Sequence, residues 1–357
     1  MIPFSDTTHS VPPTEPPTPS RHGGADGKSP AGRVVLMGQI LVDLAVRGEA
    51  LPSPGGDVWA IDEGMHVGGG FNALVAARRM GAKAISLSPI GDGPYASLIQ
   101  AALAHEGITD LGPRVAGTDN GFCIAFTDRT GERTFISTKG AETMAPASAW
   151  ADFVRTMSPG DVLYIDGYLM DHPANREAAE AALRVLPKGV RVILDVSPVI
   201  GIPDGLPSDS VIVSMNHREA QEIAHQRGDV SARDRALQPR EAARVMLTVL
   251  DCPVLVRAGA EGAYVAWPST AAPDTLDESA THIPTPRVEA IDTNGAGDAH
   301  SGALAASLAL GIPLERALLL ANCAGAVSTT VVGPASCPTR EEIEAAADAL
   351  TADTPAE

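Results

Sequence analysis

Short apolar runs alternate with amphipathic stretches along most of the chain. The runs RVVLM, VLYID, RVILD, VIVSMN and VLVR are typical of buried strands. Between them, segments such as FNALVAARRMG, PYASLIQAALAHEG and ANREAAEAALRVLP carry apolar residues at helical spacing. Strands that alternate with helices predict an α/β fold with a mainly parallel sheet covered on both faces.

One segment departs from this alternation. GFCIAFTDRTGERTFIST contains two strand-like runs around an Asp-Arg-Thr-Gly turn, which predicts a hairpin. Together with an extended piece it predicts a small separate sheet, from segments near 42–62 and 117–138, that acts as a lid over a site. The alternative is an antiparallel edge on the main sheet.

The two ends of the chain differ from the region between them. Residues 1–32 are rich in Pro, Ser, Thr and Gly and lack periodicity, which predicts a disordered tail of unassigned role. Its GGADGKS segment resembles a P-loop but has three residues between the glycines where four are needed, and Pro30 follows. We therefore expect one folded domain over 33–350 and a flexible C-terminus over 351–357.

Charge and cysteine usage restrict the partners. The formal net charge of −18 argues against nucleic acid or an anionic membrane as the main partner, because both require a basic surface. The four cysteines are widely spaced without a metal-ligand pattern, and the sequence shows neither a signal peptide nor a membrane-spanning run. We expect reduced thiols in a cytoplasmic protein.

The segment DTNGAGDAHSG, directly before the apolar helix ALAASLALG, carries the most specific chemistry. Glycines permit close approach of another group, and amides at a helix N-terminus bind an anion. Asp298 would repel that anion, so its presence is best explained by work as a base. The amides of Asn294 through Asp298, which include Gly295, Ala296 and Gly297, would then form an anion hole.

This segment and VGGGFNALVAARRMGAKAISLSPIGDG strongly resemble the two signature regions of the PfkB (ribokinase-like) carbohydrate and nucleoside kinases. The likeness runs from Val34 to Leu350, and the hairpin and VLYIDGY are most similar to the YegV-like bacterial sugar kinases. It implies a Rossmann-like three-layer αβα core with a small β-sheet lid. It also implies ATP-dependent transfer of the γ-phosphoryl group to a hydroxymethyl of a sugar. The family usually has a small residue at Asn294 and often Phe at His300.

On the sugar side, the resemblance assigns Asp43 as an acceptor from sugar hydroxyls, a role that a carboxylate performs for two adjacent hydroxyls at once. Gly69, Gly70 and Asn72 match a segment that grips the same sugar, and Asp166 falls at a substrate-contacting strand end. The structural alternatives are a solvated strand end for Asp43 and ordinary helix caps for the glycines.

On the nucleotide side, Asn216 and Glu219 match an N-x-x-E element that arranges Mg²⁺, largely through water, although a capping box has the same spacing. Further positions implied to contact the nucleotide are Arg257, Gly259, Gly262, Gly297 and Asn322. Many relatives also hold a monovalent cation, and the corresponding residues here are Asp292, Asn294, Ser328, Gly333 and Ser336. Because the loop VVGPASCP is shorter than in ribokinase-like members, the sequence leaves a K⁺ requirement open.

The sequence favours a free pentose, hexose or sugar acid over a nucleoside. A nucleoside needs an aromatic slot for its base, and the lid candidates for one are Trp59, Phe122, Phe126 and Phe135. Arg133 and Lys139 could instead meet an acidic sugar. The lid sheet, with one apolar face, also predicts pairing with a second subunit.

Two other classes compete with a kinase. Residues 91–96 read GDGPYA between a strand and a helix, a dinucleotide-binding fingerprint with Asp110 at nearly the expected distance. However, Pro94 removes an amide that a pyrophosphate needs. A non-enzymatic sugar sensor on the same fold would have no use for Asp298 as a base.

Overall fold

The computed structural model describes residues 32–130, 132–227, 236–268, 279–333 and 335–352. The predicted tail, apart from Gly32, and the P-loop-like segment lie outside these residues, as does the predicted flexible C-terminus beyond 352. Within them, no helix combines the length and apolarity that crossing a bilayer requires.

Nine strands form the main sheet in the described part of the chain. They are β1 (Arg33–Met37), β4 (Lys83–Ser86), β5 (Thr109–Asp110), β8 (Val162–Asp166), β9 (Arg191–Asp195), β10 (Val211–Asn216), β11 (Val254–Arg257), β12 (Ala263–Ala266) and β13 (Thr281–Ile283). Their order is β13-β12-β11-β10-β9-β8-β1-β4-β5. The pairs from β11 to β5 are parallel, whereas β12 pairs antiparallel with β11 and β13 with β12.

Helices cover both faces of this sheet. They are α1 (Gly70–Arg79), α2 (Pro94–His105), α3 (Ala149–Val154), α4 (Pro173–Leu183), α5 (His217–Gln226), α6 (Pro239–Leu250), α7 (Ala296–Ala309), α8 (Leu314–Ser328) and α9 (Arg340–Ala352). One core lies under α1, α2, α7, α8 and α9, and the other lies under α3 to α6. Strand β1 serves both, because Val34 and Leu36 enter the first core and Val35 and Met37 the second. The predicted three-layer fold is confirmed.

A second sheet contains β2 (Ile40–Arg47), β3 (Asp62–Gly69), β6 (Phe122–Thr127) and β7 (Arg133–Ser137), in the order β3-β2-β6-β7. We call it the small sheet. The predicted separate sheet is therefore present, and the alternative of an edge on the main sheet is wrong. Strand β3 lies almost entirely beyond the segment near 42–62 that was predicted for this sheet, because DEGMHVGG shows no alternation. It forms because all eight residues pair antiparallel with β2.

Candidate active site

Polar residues end four neighbouring strands of the main sheet. Asp166 ends β8 and lies in register with Asp195 at the end of β9. Asn216 ends β10 and is in register with Arg257 at the end of β11. In parallel sheets ligands bind in the crevice beyond the carboxyl ends of the strands. This edge of the sheet, close to the small sheet, is therefore the candidate active site.

The start of α7 presents free amides at this edge. Gly295 precedes the helix with φ +76°, a left-handed conformation that glycine adopts without strain. The amide of Asn294 donates to Asp292 Oδ1 at 2.9 Å, and that of Ala296 faces Thr293 O at 3.4 Å. The remaining N–H groups, those of Gly295, Gly297 and Asp298, donate to no residue that the structure describes. Three of the five predicted amides are thus available to an anion.

Asp298 faces Asn72 at the contact between α7 and α1. Asn72 Nδ2 donates to Asp298 Oδ2 at 3.0 Å. The two helices approach closely because Gly302 lacks a side chain: a Cβ there would lie 2.2 Å from Ala73 O. Burial raises the pKa of Asp298 to about 7, although the Asn72 hydrogen bond acts in the opposite direction. Such a carboxyl group changes protonation near neutral pH, which suits a general base.

Beneath the anion hole lies a buried ion pair that sequence reasoning missed in part. Arg257 donates from Nη1 to Asp195 Oδ2 at 2.6 Å and from Nη2 to Asp195 Oδ1 at 3.1 Å. Ser214 and Ser301 accept from the same guanidinium, and Ser301 also donates to Asp195. The guanidinium carbon is 3.5 Å from where a Cβ of Gly297 would stand. Arg257, predicted to run along the nucleotide, thus holds a positive charge directly against the anion-hole backbone.

Asp43 enters the crevice from the small sheet. It lies on β2, opposite His66 on β3 and Cys123 on β6. Burial raises its pKa to about 6, and its charge in turn raises the pKa of Asp298. Gly68 gives the carboxylate room, because a Cβ at that position would lie 2.0 Å from Asp43 Oδ2. Asp43 therefore belongs to the same electrostatic environment as Asp298.

Tyr168 borders the same region and was not predicted. Burial, and then the charges of Asp166, Asp298 and Asp43, raise its pKa to about 12. The side chain is nevertheless 48% exposed. An aromatic ring thus lies at the mouth of the crevice, close to the carboxylates.

The other predicted sugar-side residues support the backbone. Gly69 has φ +67°, and a Cβ there would lie 2.6 Å from Gln39 O. The amide of Gly70 donates to the same carbonyl at 2.8 Å. Asp166 accepts from the amides of Gln39 at 2.7 Å and Leu169 at 3.2 Å, while burial raises its pKa to about 7. These contacts hold the turn between β1 and β2 against the end of β8.

Asn216 and Glu219 form a reciprocal capping box at the start of α5. Asn216 Oδ1 accepts from the Glu219 amide at 2.9 Å, and Glu219 Oε2 accepts from the Asn216 amide at 2.6 Å. Glu219 Oε1 accepts from no described residue, so one carboxylate oxygen is available at the edge of the crevice. Because Mg²⁺ keeps several waters and uses few protein carboxylates, this donor set fits the predicted magnesium role.

Two predicted nucleotide positions shape the turn after β11. Gly259 and Gly262 have φ +58° and +90°, and a Cβ at Gly262 would lie 2.2 Å from Ile283 O. Asn322 donates to the carbonyls of Ile283 and Pro284 at 2.9 and 3.0 Å and contacts His300 Nε2 through Oδ1 at 3.1 Å. These residues join β13 to α7 and α8.

His300 lies on α7 and is buried. Burial lowers its pKa to about 3. It is therefore neutral at physiological pH.

The residues predicted to hold a monovalent cation lie together, but largely bond to one another. Asp292 accepts from the amides of Asn294 and Gly333. The Ser336 hydroxyl donates to Ser328 O at 3.0 Å. Asp292 also pairs with Arg133 from the small sheet.

The dinucleotide fingerprint at 91–96 does not offer its helix N-terminus to a ligand. The amides of Tyr95 and Ala96 donate to Asp119 at 3.0 and 2.8 Å. A Cβ at Gly93 would lie 2.2 Å from the same side chain. A carboxylate of the chain thus stands where a pyrophosphate would bind, which argues against a dehydrogenase.

The missed residues Asp195, Ser214 and Ser301 had one signal in the sequence. Asp195 ends the apolar run RVILD just as Asp166 ends VLYID and Arg257 ends VLVR. Polar residues that end successive parallel strands meet at one edge. That rule could have placed Asp195 in the site, but not the serines.

Residues 31–341, which make up most of the 357-residue chain, match the family described as pfkB family carbohydrate kinase. The chain belongs to the PfkB family. This PfkB protein is also similar to the uncharacterized sugar kinase YegV of Escherichia coli (strain K12), with 34% identity over 319 residues that cover 87% of this chain and 92% of that relative. It is therefore a kinase, an enzyme that transfers a phosphoryl group, and the predicted family is confirmed.

Solved structures agree on the fold. A ribokinase of Arabidopsis thaliana complexed with ribose and ATP superposes with a TM-score of 0.70 at 22% identity, covering 89% of this chain and 99% of that one. A Burkholderia thailandensis nucleoside kinase in complex with inosine gives 0.68 at 18% identity, covering 89% and 97%. The PfkB kinase thus shares its architecture with enzymes that bind a free sugar and with enzymes that bind a nucleoside.

Proposed function

We propose that this PfkB kinase transfers the γ-phosphoryl group of ATP to a hydroxymethyl group of a free pentose or hexose, with Asp298 as the general base. The observation that carries the proposal is the position of Asp298, whose pKa is raised to about 7, beside the free amides at the start of α7. Binding alone requires no such base, so a sugar sensor is not favoured.

Asp298 would take the proton from the hydroxyl as it attacks phosphorus. The amides of Gly295, Gly297 and Asp298 would receive the negative charge of the moving phosphoryl group. Arg257 adds a positive charge behind Gly297. Its ion pair with Asp195 fixes the guanidinium in place, so little reorganisation is needed during transfer.

Two polar groups are suited to hold the sugar. The Asp43 carboxylate can accept hydrogen bonds from two adjacent hydroxyls. Asn72 Oδ1 is buried and has no hydrogen-bond partner among the described residues, while its Nδ2 is bound to Asp298. Buried acceptors are rarely left unpaired. A sugar hydroxyl donating to Asn72 would satisfy this oxygen and bring the substrate to the base.

The aromatic residues favour a free sugar over a nucleoside. Phe122 packs on Tyr95 with ring centroids 5.5 Å apart, and Phe126 is buried against Gly48. Trp59 and Phe135 are 88% and 57% exposed. None of the four expected aromatics forms an enclosed slot in the described structure, so the apolar cover for a flat base would have to come from exposed rings such as those of Tyr168 and Phe135.

The basic residues of the hairpin favour a neutral sugar. Lys139 lies 3.5 Å from Asp171, and Arg133 pairs with Asp292. Both cations therefore have carboxylate partners within the chain. A sugar acid remains a second choice because it would have to displace one of these partners.

Magnesium completes the proposed nucleotide site. Glu219 would hold Mg²⁺ through water with its free oxygen, and the metal would supply charge neutralisation at the phosphates when bound. Asn216 would keep Glu219 in position through the capping box.

We also propose that two copies associate through the small sheet in the cytoplasm. Met65 and Ile136 lie on one face of the small sheet, aligned through Leu44 and Ile124, and are 56% and 60% exposed. The four cysteines are free thiols. An apolar sheet face of this kind favours burial against a second copy. Light scattering should give a dimer for the wild type and a monomer for Ile136→Asp. A wild-type monomer at all concentrations would remove this part of the proposal.

A substrate screen tests the proposed function. The purified enzyme is given ATP, Mg²⁺ and a panel of neutral sugars, sugar acids and nucleosides, and ADP release is measured against Asp298→Asn as background. We expect turnover on a neutral pentose or hexose that is lost in the variant. Turnover confined to nucleosides would overturn the substrate choice, and equal rates for both proteins would overturn the role of Asp298.

A further inference from the structure

Arg133 connects the small sheet to the loop that precedes the anion hole. It is the first residue of β7, and its Nη2 donates to Oδ1 of Asp292, 159 positions along the chain. The two side chains are 31% and 14% exposed, so the pair is partly shielded from water. An ion pair thus joins the small sheet to the segment proposed to bind the phosphoryl group.

The Asp292 carboxylate has three donors. Besides Arg133, the amide of Asn294 donates to Oδ1 at 2.9 Å and that of Gly333 to Oδ2 at 3.1 Å. Burial raises the pKa of this carboxyl group. The two amides and the guanidinium outweigh that effect, so the pKa lies below its ordinary value. Asp292 is therefore ionised, and its charge is balanced by Arg133.

The residues predicted to hold K⁺ do not fit that ion in this arrangement. A hard cation needs several oxygen atoms directed toward it. Here both carboxylate oxygens of Asp292 are already engaged, Oδ1 by the Arg133 guanidinium and the Asn294 amide and Oδ2 by the Gly333 amide. Gly333 presents its N–H to Asp292. A cation at Asp292 would also meet the guanidinium of Arg133, which repels it.

From this disagreement we infer that Arg133 supplies, from within the chain, the positive charge that a bound K⁺ would otherwise place beside the anion hole. The inference rests on the proposed kinase function. A guanidinium keeps its charge at every physiological pH and binds a carboxylate directionally. Because Arg133 belongs to the small sheet, its charge reaches the loop only when that sheet lies against the core. Phosphoryl transfer is then coupled to closure of the lid and is independent of K⁺.

Salt-exchange kinetics test this inference. Rates are measured in potassium, sodium and choline chloride at one ionic strength of about 0.1 M, so that screening is constant. Wild-type kcat should be the same in all three salts. Arg133→Met should lose between about tenfold and 1,000-fold in choline, less than the full worth of an arginine finger. Potassium, or added guanidinium ion, should restore part of that loss.

Two further variants serve as controls. Arg129→Met removes an arginine from the tip of the same hairpin, where the side chain is 77% exposed and pairs only with the exposed Glu49 among the described residues. It should behave as wild type in every salt. Arg133→Lys keeps a positive charge, so it should stay far less dependent on K⁺ than Arg133→Met.

Thermal unfolding gives a readout that does not depend on catalysis. The Tm of the wild type should be equal in potassium and choline, whereas K⁺ should raise the Tm of Arg133→Met specifically, because a ligand that binds only the folded state stabilises it. The Tm measurement tests the inference even if the enzyme turns over no substrate. In that case the proposed function is wrong, whereas the inference about Arg133 is still tested. Wild-type activation by K⁺, a K⁺-specific rise in wild-type Tm, or equal K⁺ dependence of the Lys and Met variants would overturn the inference.

Discussion

Buried charge is arranged differently on the two sides of the crevice. On the proposed nucleotide side, Asp195 is bound to Arg257 through two hydrogen bonds and to Ser301 through a third. On the proposed sugar side, Asp43 and Asp298 form no ion pair with any described residue, and their pKa values rise to about 6 and 7. The paired charges form a fixed support. The unpaired carboxyl groups have pKa values near neutral pH, so they can exchange protons or bind hydroxyls.

The largest expected effect comes from the unpaired side. Asp298→Asn removes the base and should lower kcat by about 10²–10⁴, the usual worth of positioned general base catalysis. Sugar affinity, measured by calorimetry, should change little. Asp152→Asn, a change at a 70% exposed surface carboxylate on α3, is the matched control and should leave kcat unchanged. Equal kcat values for wild type and Asp298→Asn would show that this unpaired carboxylate is not the base, and would contradict the proposed difference between the two sides.

A change to the paired charges should alter the free energy of unfolding. Arg257→Met leaves Asp195 buried without its partner and should lower the free energy of unfolding by about 3–5 kcal/mol. Adding Asp195→Asn should recover a large part of this loss. Both are measured by urea unfolding. The exposed pair of Arg155 and Asp152 provides the control, where Arg155→Met should cost less than about 1 kcal/mol. Similar small losses at both pairs would show that Arg257 is not a structural support.

Asp43 is the second unpaired carboxylate, and its replacement tests whether it binds the sugar. Asp43→Asn weakens hydrogen bonds to a charged acceptor, each worth about 1.5–3 kcal/mol, so KM for the sugar should rise roughly 10- to 100-fold. The KM for ATP should stay constant. Glu63→Gln, on the exposed part of the neighbouring strand β3, is the control. A rise in the KM for ATP with no change in the KM for the sugar would contradict the assignment of Asp43 to sugar binding.

The raised pKa of Asp298 also predicts a stability difference that depends on pH. The folded state binds the Asp298 proton more tightly than the unfolded chain does, because the pKa is raised from 3.8 to about 7. Its contribution to stability is full below pH 3.8 and is lost as the pH rises through 7. Asp298→Asn should therefore be more stable than wild type by about 4 kcal/mol at pH 8, with the difference vanishing near pH 4. A constant difference at both pH values would contradict the raised pKa.

Local sequence patterns were sufficient to predict the layers of the fold and to select Asp298 as the candidate base. Buried strands and amphipathic helices have their own periodicities, and the helix start at 292–302 carries its chemistry within eleven residues. The pairing of β2 with β3 could not be read in this way, because DEGMHVGG has no alternation and is fixed by its partner strand.

Contacts between residues far apart in the chain could not be predicted from local sequence patterns either. Arg257 and Asp195 are 62 positions apart, and Arg133 and Asp292 are 159 apart. Each residue taken singly is compatible with a solvated surface position. The raised pKa values likewise depend on burial by the whole fold, and no local pattern reports that burial.

The pH dependence of kcat/KM tests the central claim most directly. If Asp298 is the base and its pKa is about 7, the rate on the sugar found in the screen should rise with pH and reach half its maximum near pH 7. The profile is recorded from about pH 5 to 9, with Asp152→Asn as a control of unchanged shape. A profile already flat at pH 5 would mean that the base ionises at an ordinary carboxylate pKa. Asp298 would then not be the buried, unpaired group on which this account depends.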